Sequence, residues 1–295
     1  MRIVHIITRM IVGGAQENTR FNCLDLVRDY GDDVTLITGP SLGAEGSLLD
    51  KYKDSDLKVI LVPELIRSIR PWTDLKASQR LTQILAQIRP EVVHTHSAKA
   101  GILGRSVAWK LKTPCVVHTV HGAPFHPYQS WPVRKLYQLC ERWAAKRCHK
   151  LISVADAMTD LMVEAKVAER SKFVTIYSGM DIQPFLDAHQ RRDETRIRLG
   201  IGPEDIVVGK IARLFHLKGH KYLLACAQSV VQSNPRVRFL LVGDGILRES
   251  IEKDIDAMGL REHFIFTGLV SPDEIPELIG AMDLLLHVSL REGCL

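Results

Sequence analysis

Arg213 and Lys218 stand five residues apart in the stretch IARLFHLKGH, with Gly219 directly after them. A guanidinium can offer a planar fork to two phosphate oxygens, an ammonium adds a point charge, and glycine lets backbone amides approach where a helix begins. Such a turn suits a diphosphate. A lone Arg/Lys pair on a connecting loop is more often two surface cations, so the reading depends on its surroundings. Gly13-Gly14 offers a second, weaker anion signal: GGAQ lets a ligand approach helix-start amides, but it is not GxGxxG, and any tight strand-to-helix turn can use glycine. The histidines are a third group. EVVHTH places His94 and His96 at alternate positions of a strand, hence on one face; CVVHTVH adds His118 and His121 at another strand end, with His126 beyond. Neutral imidazoles ligate metals, and taken alone this set suggests a metallohydrolase. It lacks an evident carboxylate partner nearby, and histidines at strand ends commonly hydrogen-bond loop backbone or a polar ligand, so no metal is assigned. Asp254-Ile255-Asp256 mimics a DxD metal motif but falls within an amphipathic helix, where it reads as solvated surface.

The elements that must position these groups are legible. Residues 206–211 and 237–242 are apolar runs without alternation, the mark of strands buried on both faces of a parallel sheet, and an amphipathic helix joins them as a βαβ unit. Ligands of such sheets sit beyond the carboxyl ends of the strands, where Arg213, Lys218 and the glycine turn Gly243-Asp244-Gly245 fall. The first half alternates likewise. Strands are expected at 2–7, 34–37, 57–62, 91–96, 115–121, 151–154 and 173–177, and helices at 15–30, 73–88, 132–150 and 156–166. After residue 245 a helix at 247–258, a strand at 264–266, a short helix opened by Ser271-Pro272 and a strand at 284–288 continue the pattern. Between the halves, 181–204 loses periodicity and gains charge and proline. This predicts a domain at 1–183, a linker at 184–204 and a second domain at 205–295. The helix at 132–150 is basic and amphipathic, with Arg134, Lys135, Arg142, Lys146, Arg147 and Lys150 among Leu136, Leu139 and Trp143. With Arg67, Arg70 and Trp72 it can meet anionic lipid head groups or a charged acceptor; an ordinary solvated helix face is the competing reading.

A chain of 295 residues exceeds the usual single domain, and 46% hydrophobic with 25% charged residues describes a soluble globular protein. A net charge of +5 without a clustered patch does not argue for nucleic acid, although it favours anionic ligands or an acidic membrane surface. The six cysteines form no CxxC pair and read as reduced cytosolic thiols. The amino terminus reads as a first strand, not a signal peptide, and no apolar run approaches a membrane span, which together predict a cytoplasmic protein, peripheral at the inner membrane face if it meets lipid.

Taken in order, GGAQ, HTHSAKAG, HTVHG, YSGMD, GKIARLFHLKGH, LVGDG, FTGLV and SLREG resemble the GT-B glycosyltransferases of family four along nearly the whole chain. The resemblance implies two Rossmann-like α/β domains, the first on the acceptor side and the second holding a nucleotide-sugar donor such as a UDP- or GDP-sugar. It implies retaining, metal-independent transfer, with no cofactor, to a glycan, lipid-linked or other cell-envelope acceptor. Arg213 and Lys218 would bind the donor diphosphate and stabilise charge on the leaving nucleotide. Gly13 and Gly14 would bring backbone amides to the phosphates, and His121 would lie at the reacting centre against donor-sugar hydroxyls. Gly243, Asp244 and Gly245 would form a turn near the donor and Leu269 would sit by the base. Glu292 matches the first glutamate of the family's Glu-x7-Glu pattern; the second would fall beyond Leu295, so the second domain is expected to be incomplete. The readings set against this one are a catalytically silent, truncated fragment that binds nucleotide, a nucleotide-sugar epimerase and the histidine-centred metallohydrolase.

Overall fold

The computed structural model describes residues 1–41, 46–51 and 56–290. Contacts divide the chain into two compact α/β units, one formed by Met1–Met180 and the other beginning at Asp181.

In the first unit the order is β1 (Arg2–Arg9), α1 (Gly14–Arg28), β2 (Asp33–Gly39), α2 (Leu48–Lys51), β3 (Lys58–Leu61), α3 (Pro71–Ile88), β4 (Val92–His96), α4 (Ala98–Lys110), β5 (Cys115–Val120), α5 (Trp131–Ala145), β6 (Lys150–Ser153), α6 (Asp156–Glu164) and β7 (Phe173–Thr175). The strands form one parallel sheet in the order β3-β2-β1-β4-β5-β6-β7. Residues 3–8 of β1 are all buried, as both faces of a central parallel strand must be. Val4, Ile6, Val93 and Val116 look to one face of the sheet, Ile3, Ile7 and Leu36 to the other. Successive connections run to one side from β1 to β3 and to the other from β4 to β7. The order therefore reverses between β1 and β4, and open α/β sheets bind ligands beyond the strand ends at such a point.

Helix α4 has no counterpart in the periodicity reading. Four of the six buried residues of this helix are Gly or Ala: a Cβ on Gly101 would come 2.4 Å from His118 Cε1, and one on Gly104 would come 2.8 Å from Thr95 Cγ2. Close approach without large apolar side chains leaves little periodic signal. The approach also buries Arg105, whose Nη2 donates to Glu141 Oε2 on α5 at 2.8 Å while its Nε donates to the Gly101 carbonyl at 2.8 Å.

The second unit runs α7 (Gln183–Leu186), α8 (Arg192–Arg198), β8 (Ile206–Ile211), α9 (His220–Ser233), β9 (Val237–Val242), α10 (Arg248–Ala257), β10 (Phe264–Gly268), α11 (Ile275–Gly280) and β11 (Leu284–Leu285), with a parallel sheet ordered β10-β9-β8-β11. The segment at 184–204, expected as a linker, instead belongs to this unit. Its charges are partners rather than solvated surface: Arg192 Nη1 donates to the carbonyls of Gly280 and Met282, each at 2.8 Å, and Arg191 pairs with the buried Glu277 at 2.9 Å. A window rich in Arg, Asp and Glu hides such pairing from a hydrophobicity pattern. Asp254 and Asp256 lie exposed on α10, as solvated surface residues. The strand expected at 284–288 pairs only over Leu284 and Leu285.

Ser271 opens the short helix that leads into α11. Its backbone N–H donates to Glu274 Oε2 at 2.8 Å, completing a capping box with Pro272 at the first helical position. Ser271→Ala is expected to lower stability by about 1 kcal/mol, read as a shift in urea midpoint at unchanged slope.

Candidate functional site

In the second unit the site follows β8. The sheet order turns there, since β9 and β10 lie on one side of β8 and β11 on the other. Arg213, Lys218 and Gly219 occupy the turn between β8 and α9, at the carboxyl end of the strand. Backbone bonds hold this turn against its neighbours: Ala212 N–H donates to the Val242 carbonyl at 3.0 Å, Leu214 N–H to the Asp244 carbonyl at 2.9 Å, and Gly243 N–H to the Gly268 carbonyl at 3.0 Å. Three strand ends are thereby stitched together around the cations. Arg213 is exposed, with its guanidinium carbon 5.1 Å from the Phe215 ring centroid, and Lys218 is half-buried.

Glycine is required at Gly219. Its φ is +73°, and a Cβ there would come 1.9 Å from the Val288 carbonyl oxygen. The same close approach brings the stretch after β11 onto the turn, where Leu290 N–H donates to the Leu217 carbonyl at 2.8 Å. His220, the first residue of α9, donates Nε2–H to the Arg213 carbonyl at 3.1 Å, fixing the backbone from which the guanidinium projects. Burial, opposed by that bond and assisted by the charges of Lys210 and Lys218, lowers its pKa, so the ring is neutral.

Gly243, Asp244 and Gly245 form the neighbouring turn. A Cβ on Gly245 would come 2.5 Å from the Leu214 carbonyl oxygen and 2.6 Å from the Phe215 ring. Asp244 is engaged locally, Oδ1 accepting from Gly245 N–H at 2.7 Å and Oδ2 from Arg248 Nη1 at 3.1 Å, so it shapes the turn. Leu269 follows β10 and is exposed. Glu292 lies outside the described residues.

In the first unit, Gly13 and Gly14 stand at the start of α1. A Cβ on Gly14 would meet nothing within 4 Å, and Gly13 has the extended φ of 166° that any residue adopts. Nothing within the unit itself requires glycine at Gly14, so space beside these amides is open to a ligand.

The histidines come together across the sheet. His5 is register partner of His94, and His94, His96 and His5 share a face, as strand alternation requires. His5 Nδ1 lies 3.0 Å from His96 Nε2, and His96 Nδ1 lies 3.1 Å from His121 Nε2. His94 Nε2 lies 2.7 Å from Thr119 Oγ1. His118 points to the other face, 2.9 Å from Thr95 Oγ1. Burial pushes His5 and His121 down to about 4. His94 and His96 lie well below the usual imidazole range, chiefly through burial, then through His5 and His121 at His94 and through His94 and His5 at His96; His118 does so through burial and then Arg105. All five are neutral near pH 7. His5 was missed in the sequence because a single histidine within the apolar run RIVHIITR carries no spacing signal.

Ring nitrogens of His5, His94 and His96 all lie within 4.8 Å of one another, close enough to consider a metal. Their arrangement fits hydrogen bonding better: the nitrogens face each other and Thr119 at hydrogen-bond distance, and the group contains no carboxylate to balance a buried dication.

Helix α5 carries apolar side chains on its outer face. Its buried residues are Glu141, Ala144 and Ala145, while Trp131 (65% exposed), Leu136 (55%), Leu139 (55%) and Trp143 (43%) face outward. Among the described residues no helix is long and apolar enough to cross a membrane.

Residues 14–179 match a family model described as a glycosyl transferase 4-like domain, and residues 191–294 match glycosyl transferases group 1. An Escherichia coli UDP-Gal:alpha-D-GlcNAc-diphosphoundecaprenol alpha-1,3-galactosyltransferase is 29% identical over 99% of this chain and 74% of its own length. The alpha-monoglucosyldiacylglycerol synthase of Acholeplasma laidlawii is 24% identical over 82% of this chain and 64% of its own. The chain spans only 50% of a Streptomyces fradiae 2-deoxystreptamine N-acetyl-D-glucosaminyltransferase, matched over 69% of this chain at 27% identity. Among solved structures, Anabaena HepE in complex with UDP and glucose superposes with a TM-score of 0.76 at 22% identity, over 98% of this chain and 74% of that one. Sucrose-phosphate synthase of Thermosynechococcus elongatus gives 0.79 at 16% identity, over 99% and 77%. The two α/β units are thus of the GT-B class, and the chain belongs to the glycosyltransferases with a 4-like first domain and a group 1 second domain.

Proposed function

We propose that this protein transfers a sugar from a nucleotide-diphosphate sugar, a UDP- or GDP-sugar, to a glycan or lipid-linked acceptor of the cell envelope. The single observation that carries this reading is the basic turn at the carboxyl end of β8, which holds Arg213, Lys218 and the helix-start Gly219 at the switch point of the second sheet. Their charge is what a departing nucleoside diphosphate needs as its bond to the sugar breaks. The cations supply it without a divalent ion, so the reaction is expected to proceed in chelator. The neutral His121 then meets donor-sugar hydroxyls, and transfer proceeds with retention, the donor phosphate rather than a protein carboxylate receiving the acceptor proton. The test is incubation with UDP- and GDP-sugars and a polyprenyl-diphosphate-linked sugar acceptor in EDTA. A glycosylated lipid supports the reading, and consumption of the donor to an epimer without acceptor overturns it.

The same reading includes a lipid surface as the place of action, inside the cell at the inner membrane face. The outward row of Trp131, Leu136, Leu139 and Trp143 is flanked by Arg134, Lys135 and Lys146, the composition of a helix that lies in the head-group region. Arg147 lies 3.6 Å over the Trp143 ring, adding charge at the edge of the stripe. Cosedimentation with phosphatidylglycerol-containing vesicles is expected, with little binding to pure phosphatidylcholine. Arg134→Glu with Lys135→Glu is expected to weaken it by on the order of tenfold or more. Equal binding by the double variant removes the membrane from the proposal and leaves the transfer reaction standing.

A further inference from the structure

Three imidazoles form a row from the sheet interior to the end of β5. His5 Nδ1 meets His96 Nε2 at 3.0 Å and His96 Nδ1 meets His121 Nε2 at 3.1 Å. His5 and His96 are fully buried; His121 is half-buried. A neutral imidazole has one N–H and one lone pair, and each bond in the row uses one proton. The tautomers are therefore coupled. Either all three rings carry the proton on Nδ1, or all three carry it on Nε2.

The buried end breaks the tie. Among the described residues, His5 Nε2 has no hydrogen-bond partner. The all-Nε2 arrangement would bury an orphaned N–H there, whereas the all-Nδ1 arrangement leaves only a lone pair, and orphaned buried N–H groups are the rarer of the two. From this geometry we propose that His5 and His96 are positioning residues that hold His121 in the Nδ1–H tautomer, so that His121 presents a hydrogen-bond donor to an oxygen of the bound ligand.

Two further features brace the row. Ser97, directly after His96, has φ 58° and ψ 160°, a conformation that costs a non-glycine residue free energy and needs support. It receives that support from β1: Ser97 Oγ accepts from Thr8 N–H at 3.2 Å and lies 2.7 Å from Thr8 Oγ1, which in turn accepts from Ala100 N–H at 3.1 Å. The ends of β1 and β4, which carry His5 and His96, are thus locked together. His94 stands outside the row, because its Nε2 is bonded to Thr119, although its ring packs 4.2 Å from that of His96. The consequence for chemistry is definite. With Nε2 accepting from His96, His121 has no lone pair to offer at Nδ1, so it donates to a sugar hydroxyl oxygen and does not act as the base for the acceptor. This role rests on the reading that the ligand is a nucleotide sugar; the tautomer itself does not.

Long-range proton–nitrogen correlation on protein labelled with ¹⁵N-histidine tests it at pH 7.5. The expected spectrum assigns the Nδ1–H form to His5, His96 and His121. His96→Phe keeps a packed ring and removes both nitrogens; His121 is expected to shift to a mixed or Nε2–H form, and kcat to fall about tenfold with donor KM within about twofold. His96→Asn can donate from the place of Nδ1 and is expected to retain the Nδ1–H signal and most of kcat. Should His96→Phe fail to fold, His96→Leu also removes both nitrogens and is expected to give the same shift at His121. An Nε2–H form of His121 in the wild type, a His121 tautomer unmoved when Phe or Leu replaces His96, or stoichiometric zinc that replaces the N–H signals overturns the proposal. A protein that shows the three Nδ1–H signals but transfers no sugar keeps the tautomer row and refutes the transferase reading alone.

Discussion

Arg213→Ala and Lys218→Ala are each expected to lower kcat for sugar transfer by on the order of 10²- to 10³-fold, with a smaller rise in donor KM. The asymmetry follows from where charge develops. A nucleotide sugar enters with its diphosphate already charged, and both cations bind that ground state; as the glycosidic bond lengthens, the leaving phosphate gains a further share of negative charge that they bind more strongly. Neither substitution is expected to unfold the unit. Arg213 is exposed, and the turn is held by main-chain bonds from Ala212, Leu214 and Gly243 that no side-chain change removes. Arg213→Lys separates fork from charge: if the guanidinium holds two phosphate oxygens, lysine recovers only part of the lost rate. Lys253→Ala, an exposed cation on α10, serves as the reference. Losses of equal size at Lys253 and Arg213, or losses that track the melting temperature, would remove the basic turn from the mechanism.

That turn was legible in the sequence because everything needed for it is local. The strands Ile206–Ile211 and Val237–Val242 are found where unbroken apolar runs put them, and the cations and glycine between them fall at a strand end by counting alone. The sequence could not reveal why that end matters most: the order β10-β9-β8-β11 makes β8 the strand at which connections diverge, and pairing across a sheet has no local signature. Ser271 and Glu274 were readable for the same reason as the turn, being three residues apart. Helix α4 and the stretch 184–204 were not, one because most of its buried residues are glycine and alanine and the other because its charges pair with Glu277, Gly280 and Met282, roughly ninety residues away at Arg192. The histidines lie between these cases. Alternation placed His94 and His96 on one face, but the row to His121 depends on strand register, and His5 entered only when β1 settled beside β4.

The same burial makes the protein acid-labile above the range in which carboxylates titrate. An unfolded histidine has a pKa near 6.5, whereas His5 and His121 in the folded chain are held down to about 4 by burial, and His94, His96 and His118 are also lowered well below the usual imidazole range, chiefly by burial. Between those values the unfolded chain binds protons that the folded chain refuses. Stability is therefore fully present above about pH 6.5 and declines as pH falls toward 4, where the folded His5 begins to accept a proton and its contribution levels off. At pH 5 the unfolded His5 alone is favoured by about 2 kcal/mol relative to neutral pH, and the other four act in the same direction. Such a sum is a large fraction of the roughly 5–15 kcal/mol that holds a domain folded. A urea midpoint falling steeply between pH 7.5 and 5 is the expected result, and His5→Phe should flatten the slope by about one proton while costing some stability at pH 7.5, because His96 Nε2 loses its partner. A midpoint constant across that interval would mean that the five rings are hydrated or already charged in the folded protein, and the hydrogen-bonded row from His5 to His121 would have to be abandoned with it.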